Sequence, residues 1–342
     1  MALENARAQV TEVSFRWARW RRQLRLIAGD PLALEPRIDA RAPTLGFAHV
    51  YIASEQGETT RWLTSSVYAL EAAKRDPIDL CHLAIDWFHQ HLERGDDGAR
   101  DEFLRLAREL RASGTHARLG GRDCFVLPHQ FVVDDYAPHA IPWINAMVQG
   151  WAGAVLARAY QLTGDAALAD AARGAVEPCW VALADGGVRD RERNGRVFYE
   201  KYAFLGQTRH VLNGFMAALL GIWDVARATG DAGAHAAFAE GLATLDDTVL
   251  ASYDNGHTSL YEQRDDRRAT PSCVYYTWIH ARQLAALARI SGQDRLLAWA
   301  RRWRRYSHGP GHRAHAAIDC LGFRARSLRR YLGLARPPAA PA

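Results

Sequence analysis

Gly95, Gly164, Gly230 and Gly292 follow one another at intervals of 69, 66 and 62 residues, and three of them share their surroundings. The copies read Ala-Tyr-Gln-Leu-Thr-Gly-Asp (159–165), Ala-Arg-Ala-Thr-Gly-Asp (226–231) and Ala-Arg-Ile-Ser-Gly-Gln-Asp (288–294), each between two apolar stretches. A glycine at this place supplies the left-handed residue that closes one helix, and the Asp after it caps the next. A helix pair cannot bury its apolar face alone, so a unit recurring at this period predicts an array of stacked pairs. The first copy, Glu-Arg-Gly-Asp-Asp (93–97), is degenerate, as terminal repeats commonly are.

The periodicity inside the units supports the same layout. Leu80, Leu83, Ala84, Trp87, Phe88 and Leu92 recur at helical spacing and predict a helix over 78–93, followed by one over 100–112. Residues 59–74 read as a further helix. Val211, Leu212, Phe215, Met216, Leu219, Ile222 and Trp223 leave little polar face, which predicts a helix buried on several sides. Phe238, Leu242, Leu245 and Val249 form one stripe, as do Leu296, Ala300 and Trp303, which predicts helices buried on one side. An inner ring buried all round and an outer ring buried on one face is what an all-α (α/α) toroid of about four pairs requires. Long return loops at 118–140, 184–206 and 252–275 contain alternating, hairpin-like stretches. In equivalent repeats these loops emerge at one end, opposite the glycines, and line a cleft. The expected divisions are a basic amphipathic helix and connector over 1–45, the toroid over 46–310, and a basic helix with a Pro/Ala tail over 311–342.

Composition excludes several classes. With 49% hydrophobic residues and eleven tryptophans in 342, the chain is globular. No apolar run is long enough to cross a bilayer. Basic Phe15-Arg16-Trp17-Ala18-Arg19-Trp20-Arg21-Arg22 stands where a signal peptide has its apolar core, so a cytoplasmic location is expected. Cys81, Cys124, Cys179, Cys273 and Cys320 are odd in number and scattered, and read as reduced thiols. The net charge of +5 concentrates at 16–25, 301–305 and 324–330. Such patches are solvated helix faces or contacts to an acidic polymer or membrane surface, and no nucleic-acid-binding pattern accompanies them.

Tyrosine crowds the return loops. Tyr199 and Tyr202 lie in Phe-Tyr-Glu-Lys-Tyr, Tyr261 in Ser-Leu-Tyr-Glu-Gln-Arg, and Tyr275 and Tyr276 just before a helix expected over 277–290. No metal set is evident there. His308, His312 and His315 have ligand-like spacing, but an intervening Gly-Pro-Gly opposes their presentation on one helix. Asp134-Asp135, Glu200 and Glu262 offer the carboxylates of a glycosidase. His210 and His280 read equally as site residues or satisfied core.

Residues 141–150, Ile-Pro-Trp-Ile-Asn-Ala-Met-Val-Gln-Gly, are similar to the Pro-Trp-x-Ser-Ala-Met-x-Gln-Gly signature of D-glucuronyl C5-epimerases. The resemblance continues through Arg158 to Asp165, Tyr199-Glu200-Lys201-Tyr202, Val211-Leu212-Asn213-Gly214-Phe215, Leu260-Tyr261-Glu262-Gln263-Arg264, and Tyr276 to Leu284. It is good over 141–306, weaker over 60–140 and absent before about 45. It implies an α/α toroid that converts glucuronate to iduronate within a polysaccharide, without a nicotinamide or other cofactor. It also implies an acidic polysaccharide or lipid-linked oligosaccharide as partner, and a homodimer. The motif tyrosines fall on Tyr202, Tyr261 and Tyr276, and the motif arginine on Arg264. The other substrate contacts expected from these blocks are Tyr199, Glu200, Trp143, Asn145, Gln149, Asn213 and His280. The chain departs from the family in two ways. Lys201 replaces an acidic residue, and the β-rich domain that normally precedes the toroid is largely missing. The helix over 11–27 is expected to dock on the toroid or a second subunit in partial replacement, with membrane-surface contact as its rival role.

The chemistry implied by the family suits these residues. Epimerisation removes a proton next to a carboxylate and returns one from the opposite face, which needs two proton-transfer groups and nearby cations. Tyrosine, with an ordinary pKa of about 10, needs positive charge beside it to act as a base near neutrality. Lys201 is one of only two lysines, with Lys74, in an Arg-rich chain, and unlike arginine it can give up its proton. The expected roles are Tyr202 and Tyr276 as opposed proton-transfer groups, Tyr261 in support, Arg264 on the uronate carboxylate, and Lys201 tuning a tyrosine or sharing the transfer. The alternatives are a polysaccharide lyase, which takes the same proton and expels the C4 substituent, and a non-catalytic polysaccharide-binding or assembly protein.

Overall fold

A computed structural model describes residues 23–33, 35–46, 77–131, 139–192, 194–264 and 269–318. Of the helices expected from sequence, that over 59–74 and the part of the N-terminal helix before residue 23 lie outside this set. So do Asp134-Asp135, Cys320 and most of the C-terminal segment.

Four pairs of long helices dominate the described residues. They are α1 (Pro77–Arg94) with α2 (Asp97–Ser113), α3 (Ala146–Thr163) with α4 (Ala166–Val176), α5 (Leu212–Thr229) with α6 (Ala232–Thr244), and α8 (Val274–Ser291) with α9 (Asp294–His308). A six-residue helix, α7 (Asp247–Ser252), follows α6. Inner helices α1, α3, α5 and α8 stand side by side in chain order, each backed by its outer partner. This is the α/α-toroid layout that the repeat predicts. Burial follows it: α5 is covered from Leu212 through Ala226, whereas α9 covers little more than the face of Leu296, Ala300 and Trp303.

The junction glycines behave alike. Gly95, Gly164, Gly230 and Gly292 have φ between 64° and 71°, and each donates its N–H to the carbonyl four residues back. Asp96, Asp165 and Asp231 then cap the outer helices through their carboxylates. In the fourth copy the inserted Gln293 takes the cap position without a side-chain bond, and Asp294 moves into the first turn.

Three antiparallel hairpins occupy the return loops: β1 (Thr115–Leu119) with β2 (Arg122–Val126), β3 (Arg189–Arg191) with β4 (Val197–Tyr199), and β5 (Leu260–Gln263) with β6 (Ala269–Pro271). Each leads from an outer helix to the N-terminus of the next inner one, opposite the glycines.

Three local expectations are corrected. The stripe from Phe238 to Val249 is broken at Leu245 and Asp246: Phe238 and Leu242 lie on α6, Leu245 is its C-cap, and Val249 lies on α7, which Asp246 caps. Leu92 is exposed, because the last turn of α1 runs past the core. Tyr275 and Tyr276 lie within the first turn of α8, which begins at Val274.

The connector is also more than a link. It runs along α8 and then under the glycine ends of α5 and α3. Gly29 accepts from Trp278 Nε1 (2.7 Å), Ala42 from Arg227 Nη2 (2.7 Å), and Gly46 from Arg158 Nη2 (2.7 Å). Helices α3 and α5 touch backbone to backbone: a Cβ at Gly221 would sit 2.0 Å from the Gly150 carbonyl oxygen.

Candidate active site

At the hairpin end, three segments converge. Lys201 and Tyr202 follow β4, Tyr261 is on β5, and Tyr276 is on the first turn of α8. The β4 exit is fixed by its backbone: Glu200 N donates to Val188 O (2.7 Å), and Glu200 O accepts from Ala146 N at the start of α3 (3.0 Å). Lys201 is buried against the bare backbone of Gly214 on α5, where a Cβ would lie 2.6 Å from the lysine's own Cβ. That contact gives the glycine of the Asn213-Gly214 motif a physical role. It seats the lysine.

From this seat Lys201 Nζ donates to the Tyr261 hydroxyl at 2.9 Å. The same nitrogen stands 5.3 Å from the Tyr202 ring centre and 5.4 Å from that of Tyr261. The Tyr261 and Tyr276 rings meet at 4.6 Å, and the Tyr261 hydroxyl interacts with those of both Tyr202 and Tyr276. All four residues assigned catalytic roles from sequence are therefore in one cluster, with Tyr261 at its centre. Lys201 is the one lysine among the described residues.

The electrostatics differ from the sequence expectation in one respect. Burial pushes the Tyr202 hydroxyl above its ordinary value, and the opposing pull of Lys201 does not overcome it. Burial and the neighbouring Tyr276 likewise raise Tyr261 well above its usual range. A lone ammonium in a desolvated site does not offset the cost of a buried phenolate. At rest Tyr202 and Tyr261 are therefore protonated, the form suited to a general acid. Any tyrosinate formed here depends on Lys201.

The expected substrate contacts divide sharply. Arg264 is half-buried just past β5. Trp143 packs near Tyr202, ring centres 6.0 Å apart, in an aromatic wall with Phe204, His139 and His129. A largely apolar cavity of about 380 Å³, bordered by Trp143, Phe204, Leu205 and Pro142, adjoins that wall, but the tyrosines and Lys201 are not among its lining residues.

Most of the other expected contacts are committed to the scaffold. Asn145 caps α3 by accepting from Met147 N (2.9 Å). Gln149 has no exposed surface and bonds Leu127 N, Phe125 O and Ala175 O. Tyr199 is fully buried and donates to Ala237 O (2.9 Å). Asn213 is buried; its backbone carbonyl accepts from Gln283 Nε2 (2.9 Å), while its side-chain Oδ1 has no hydrogen-bond partner. Glu200 has no exposure and turns away from the cluster toward His210. Glu262, next to Tyr261 on β5, is also buried and accepts from Thr270 (2.8 Å). Strand alternation sends neighbouring residues to opposite faces, so the glycosidase pair Glu200 and Glu262 points inward.

His280 is fully buried under the cluster, 2.7 Å from Ser259 Oγ. Burial, aided by Lys201, pushes its pKa down from 6.5 to about 3. The unfolded chain protonates this ring near its ordinary value, so unfolding takes up a proton across that window and stability falls on acidification. Going from about pH 7 to about pH 5 should remove about 2 kcal/mol through this residue. His280→Gln should abolish that part of the loss, read as the difference in urea stability between wild type and variant at the two pH values. Glu200, which burial pushes up to about 7, titrates in both proteins and cancels. Equal acid losses would show that the ring is not held neutral.

The surface histidines differ from their sequence reading too. Residues 310–318 are helical despite the Gly-Pro-Gly. His312 and His315 meet His257, whose ring stacks on His315 at 4.2 Å, while His308 Nδ1 lies against Ser307 Oγ (3.0 Å). Cys81, Cys124, Cys179 and Cys273 are not joined in disulfides. No helix among the described residues is long and apolar enough to cross a membrane.

Comparison with known proteins fits this geometry. The family described as D-glucuronyl C5-epimerase C-terminus matches residues 124–305. The D-glucuronyl C5-epimerase of Caenorhabditis elegans is 29% identical over 182 residues, covering 49% of this chain and 29% of that protein. The uncharacterized protein MJ1128 of Methanocaldococcus jannaschii is 30% identical over 166 residues, covering 47% of this chain and 52% of its own. The chain thus spans about half the length of one relative and under a third of the other. Among solved structures, an unsaturated glucuronyl hydrolase from Bacillus sp. GL1 superposes over 82% of each chain with a TM-score of 0.47 and 13% identity. The matched region holds Lys201, Tyr202, Tyr261 and Tyr276, and by it the chain belongs to the D-glucuronyl C5-epimerase family.

Proposed function

We propose that the protein is a uronate C5-epimerase that interconverts D-glucuronate and L-iduronate residues within an acidic polysaccharide or its lipid-linked precursor. The observation that carries this reading is the Lys201–Tyr261 hydrogen bond of 2.9 Å at the centre of a three-tyrosine cluster. In the forward step a tyrosinate of the cluster, its phenol proton given up to solvent and its charge held by the Lys201 ammonium, takes the C5 proton, and the C–H electron pair moves into the adjacent carboxylate as an enolate. Arg264 is assigned to that carboxylate, where charge accumulates. A protonated tyrosine then delivers a proton to C5 from the other face, so one C–H bond breaks, one forms, and no redox cofactor takes part. Tyr202 and Tyr276 are the assigned pair. Tyr261 lies between them and can pass a proton along the hydroxyls, with the Lys201 ammonium stabilising whichever oxygen is charged.

Incubation with unsulfated glucuronate-containing polysaccharides in heavy water tests the proposal. Deuterium at C5 without chain cleavage is the expected result, read by NMR. An ultraviolet-absorbing unsaturated end would make the protein a lyase instead. Binding without exchange at C5 would make it a polysaccharide-binding or assembly protein.

A further inference from the structure

Behind the Lys201–Tyr202 loop, Asp190 on β3, Glu200 after β4 and His210 before α5 bring their ligand atoms within 4.8 Å of one another. We propose that these three side chains bind one divalent metal ion of the zinc or manganese class, which locks the loop in place.

The spacing is that of metal ligands. His210 Nε2 is 3.4 Å from Asp190 Oδ2 and 3.5 Å from Glu200 Oε1. A charge-assisted N–H···O bond is shorter, about 2.7–2.9 Å. Two ligands on a tetrahedral ion with bonds of about 2.1 Å stand about 3.4 Å apart. The buried atoms are also left over: His210 Nε2 and Glu200 Oε2 have no hydrogen-bond partner, on residues only 6% and 0% exposed. Native interiors rarely leave such atoms unsatisfied.

The surroundings complete the case. The other ring nitrogen, His210 Nδ1, faces Glu192 Oε1 at 3.5 Å, the carboxylate-behind-imidazole arrangement that orients metal-binding histidines. Thr208 Oγ1 donates to Asp190 Oδ2, the oxygen that faces His210, at 2.9 Å. His210 itself has φ +38°, the one positive value among the described non-glycine residues. It is kept there by Tyr253, which donates to His210 O at 2.6 Å, and by its own N–H, which donates to Glu200 Oε1 at 3.0 Å. Backbone strain that is held this firmly marks a side chain whose position matters. Two carboxylates with one imidazole suit zinc or manganese better than a soft, thiolate-seeking ion.

Glu200 directly precedes Lys201 and Tyr202. An ion on its carboxylate would fix the peptide from which both active-site side chains project. The ion is assigned this positioning role and no part in proton transfer.

The test uses the full chain stripped by a chelator and then titrated separately with Zn²⁺ and Mn²⁺. The expected result is one ion per chain by elemental analysis, and a thermal midpoint that rises on loading. Asp190→Asn and Glu200→Gln should each weaken binding by more than about tenfold, while His312→Ala, in the surface histidine group, leaves it unchanged. Circular dichroism of the stripped variants checks their fold. Wild type loaded with Co²⁺ gives a readout independent of any variant: one paramagnetically shifted imidazole N–H is expected. No ion bound at millimolar Zn²⁺ or Mn²⁺ would overturn the proposal. So would undiminished binding in both folded carboxylate variants, or two or more shifted imidazoles, which would place the ion on His257, His312 and His315.

Discussion

Tyr202→Phe and Tyr276→Phe are each expected to lower C5 proton exchange by about 10²–10⁴-fold, the usual cost of removing a general acid or base. The substitution keeps the ring, so stacking on a sugar and packing against Trp143 and Tyr261 survive, and only the proton-bearing oxygen is lost. Stability should fall by no more than about 0.5–1.5 kcal/mol, the worth of a typical hydrogen bond. Near-normal exchange in both variants would show that the tyrosines only shape the cleft. Lys201 separates two roles in the same assay. Arginine keeps the charge but cannot release a proton. Retained exchange in Lys201→Arg would make the lysine an electrostatic partner of Tyr261, and loss comparable to the tyrosine variants would make it a proton carrier.

Arg158→Met or Asp224→Leu alone is expected to destabilise the fold by about 3–5 kcal/mol, because each strands a charge in the core. Arg158 on α3 and Asp224 on α5 form an ion pair of 2.6 Å with no side-chain exposure on either partner. The same guanidinium donates to Ala154 O (3.0 Å) and to Gly46 O, so it ties two inner helices to the connector. Making both replacements removes both charges and should recover much of the loss. The surface pairs of Arg105 with Glu102 and Glu109 on α2 provide a contrast. Breaking them should cost only about 0.3–0.5 kcal/mol each. Urea unfolding of the single and double variants measures all of these values. Single-variant losses under about 1 kcal/mol at Arg158 and Asp224 would mean that water reaches the pair.

The family match and the helix-pair architecture were both legible in the chain, for different reasons. The junction glycines could be read because a left-handed C′ residue and an Asp cap are local requirements, met by the residues that carry them. The inner and outer helices could be read because burial on all sides or on one side leaves its own spacing of apolar residues. The tyrosines could be read as a group because equivalent loops of a repeat emerge at the same end. Where α6 stopped and α8 began was less legible: Leu245–Asp246 and Val274 lie inside runs whose apolar pattern continues unbroken.

Among the site residues, type alone did not separate those at the tyrosine cluster from those packed into the scaffold. Gln149, Tyr199, Asn213 and Glu200 sit in the same motifs as the catalytic candidates, and each carries a polar group that a sugar would accept. Whether such a group faces a cleft or a backbone carbonyl depends on strand alternation and on which helix packs behind it. For Tyr199 that is Ala237 on α6, and for Gln149 it is Phe125 and Ala175. The sign of the tyrosine shift was equally out of reach, because it is set by how much water the packed loops exclude around Tyr202 and Tyr261.

The amino-acid sequence by itself determined the helix-pair repeat and the hairpin loops, since each rests on spacing within a short stretch, and its resemblance to the family singled out Lys201, Tyr202, Tyr261 and Tyr276. Only the tertiary structure decided the rest. It joined Arg158 to Asp224 across 66 residues, ran residues 29–33 and 35–46 along α8 and beneath the glycine ends of α5 and α3, and gathered Asp190, Glu200 and His210 around one buried point. Those partners come from different elements, and their meeting depends on the register with which whole helices and hairpins pack, which no local pattern of residues encodes.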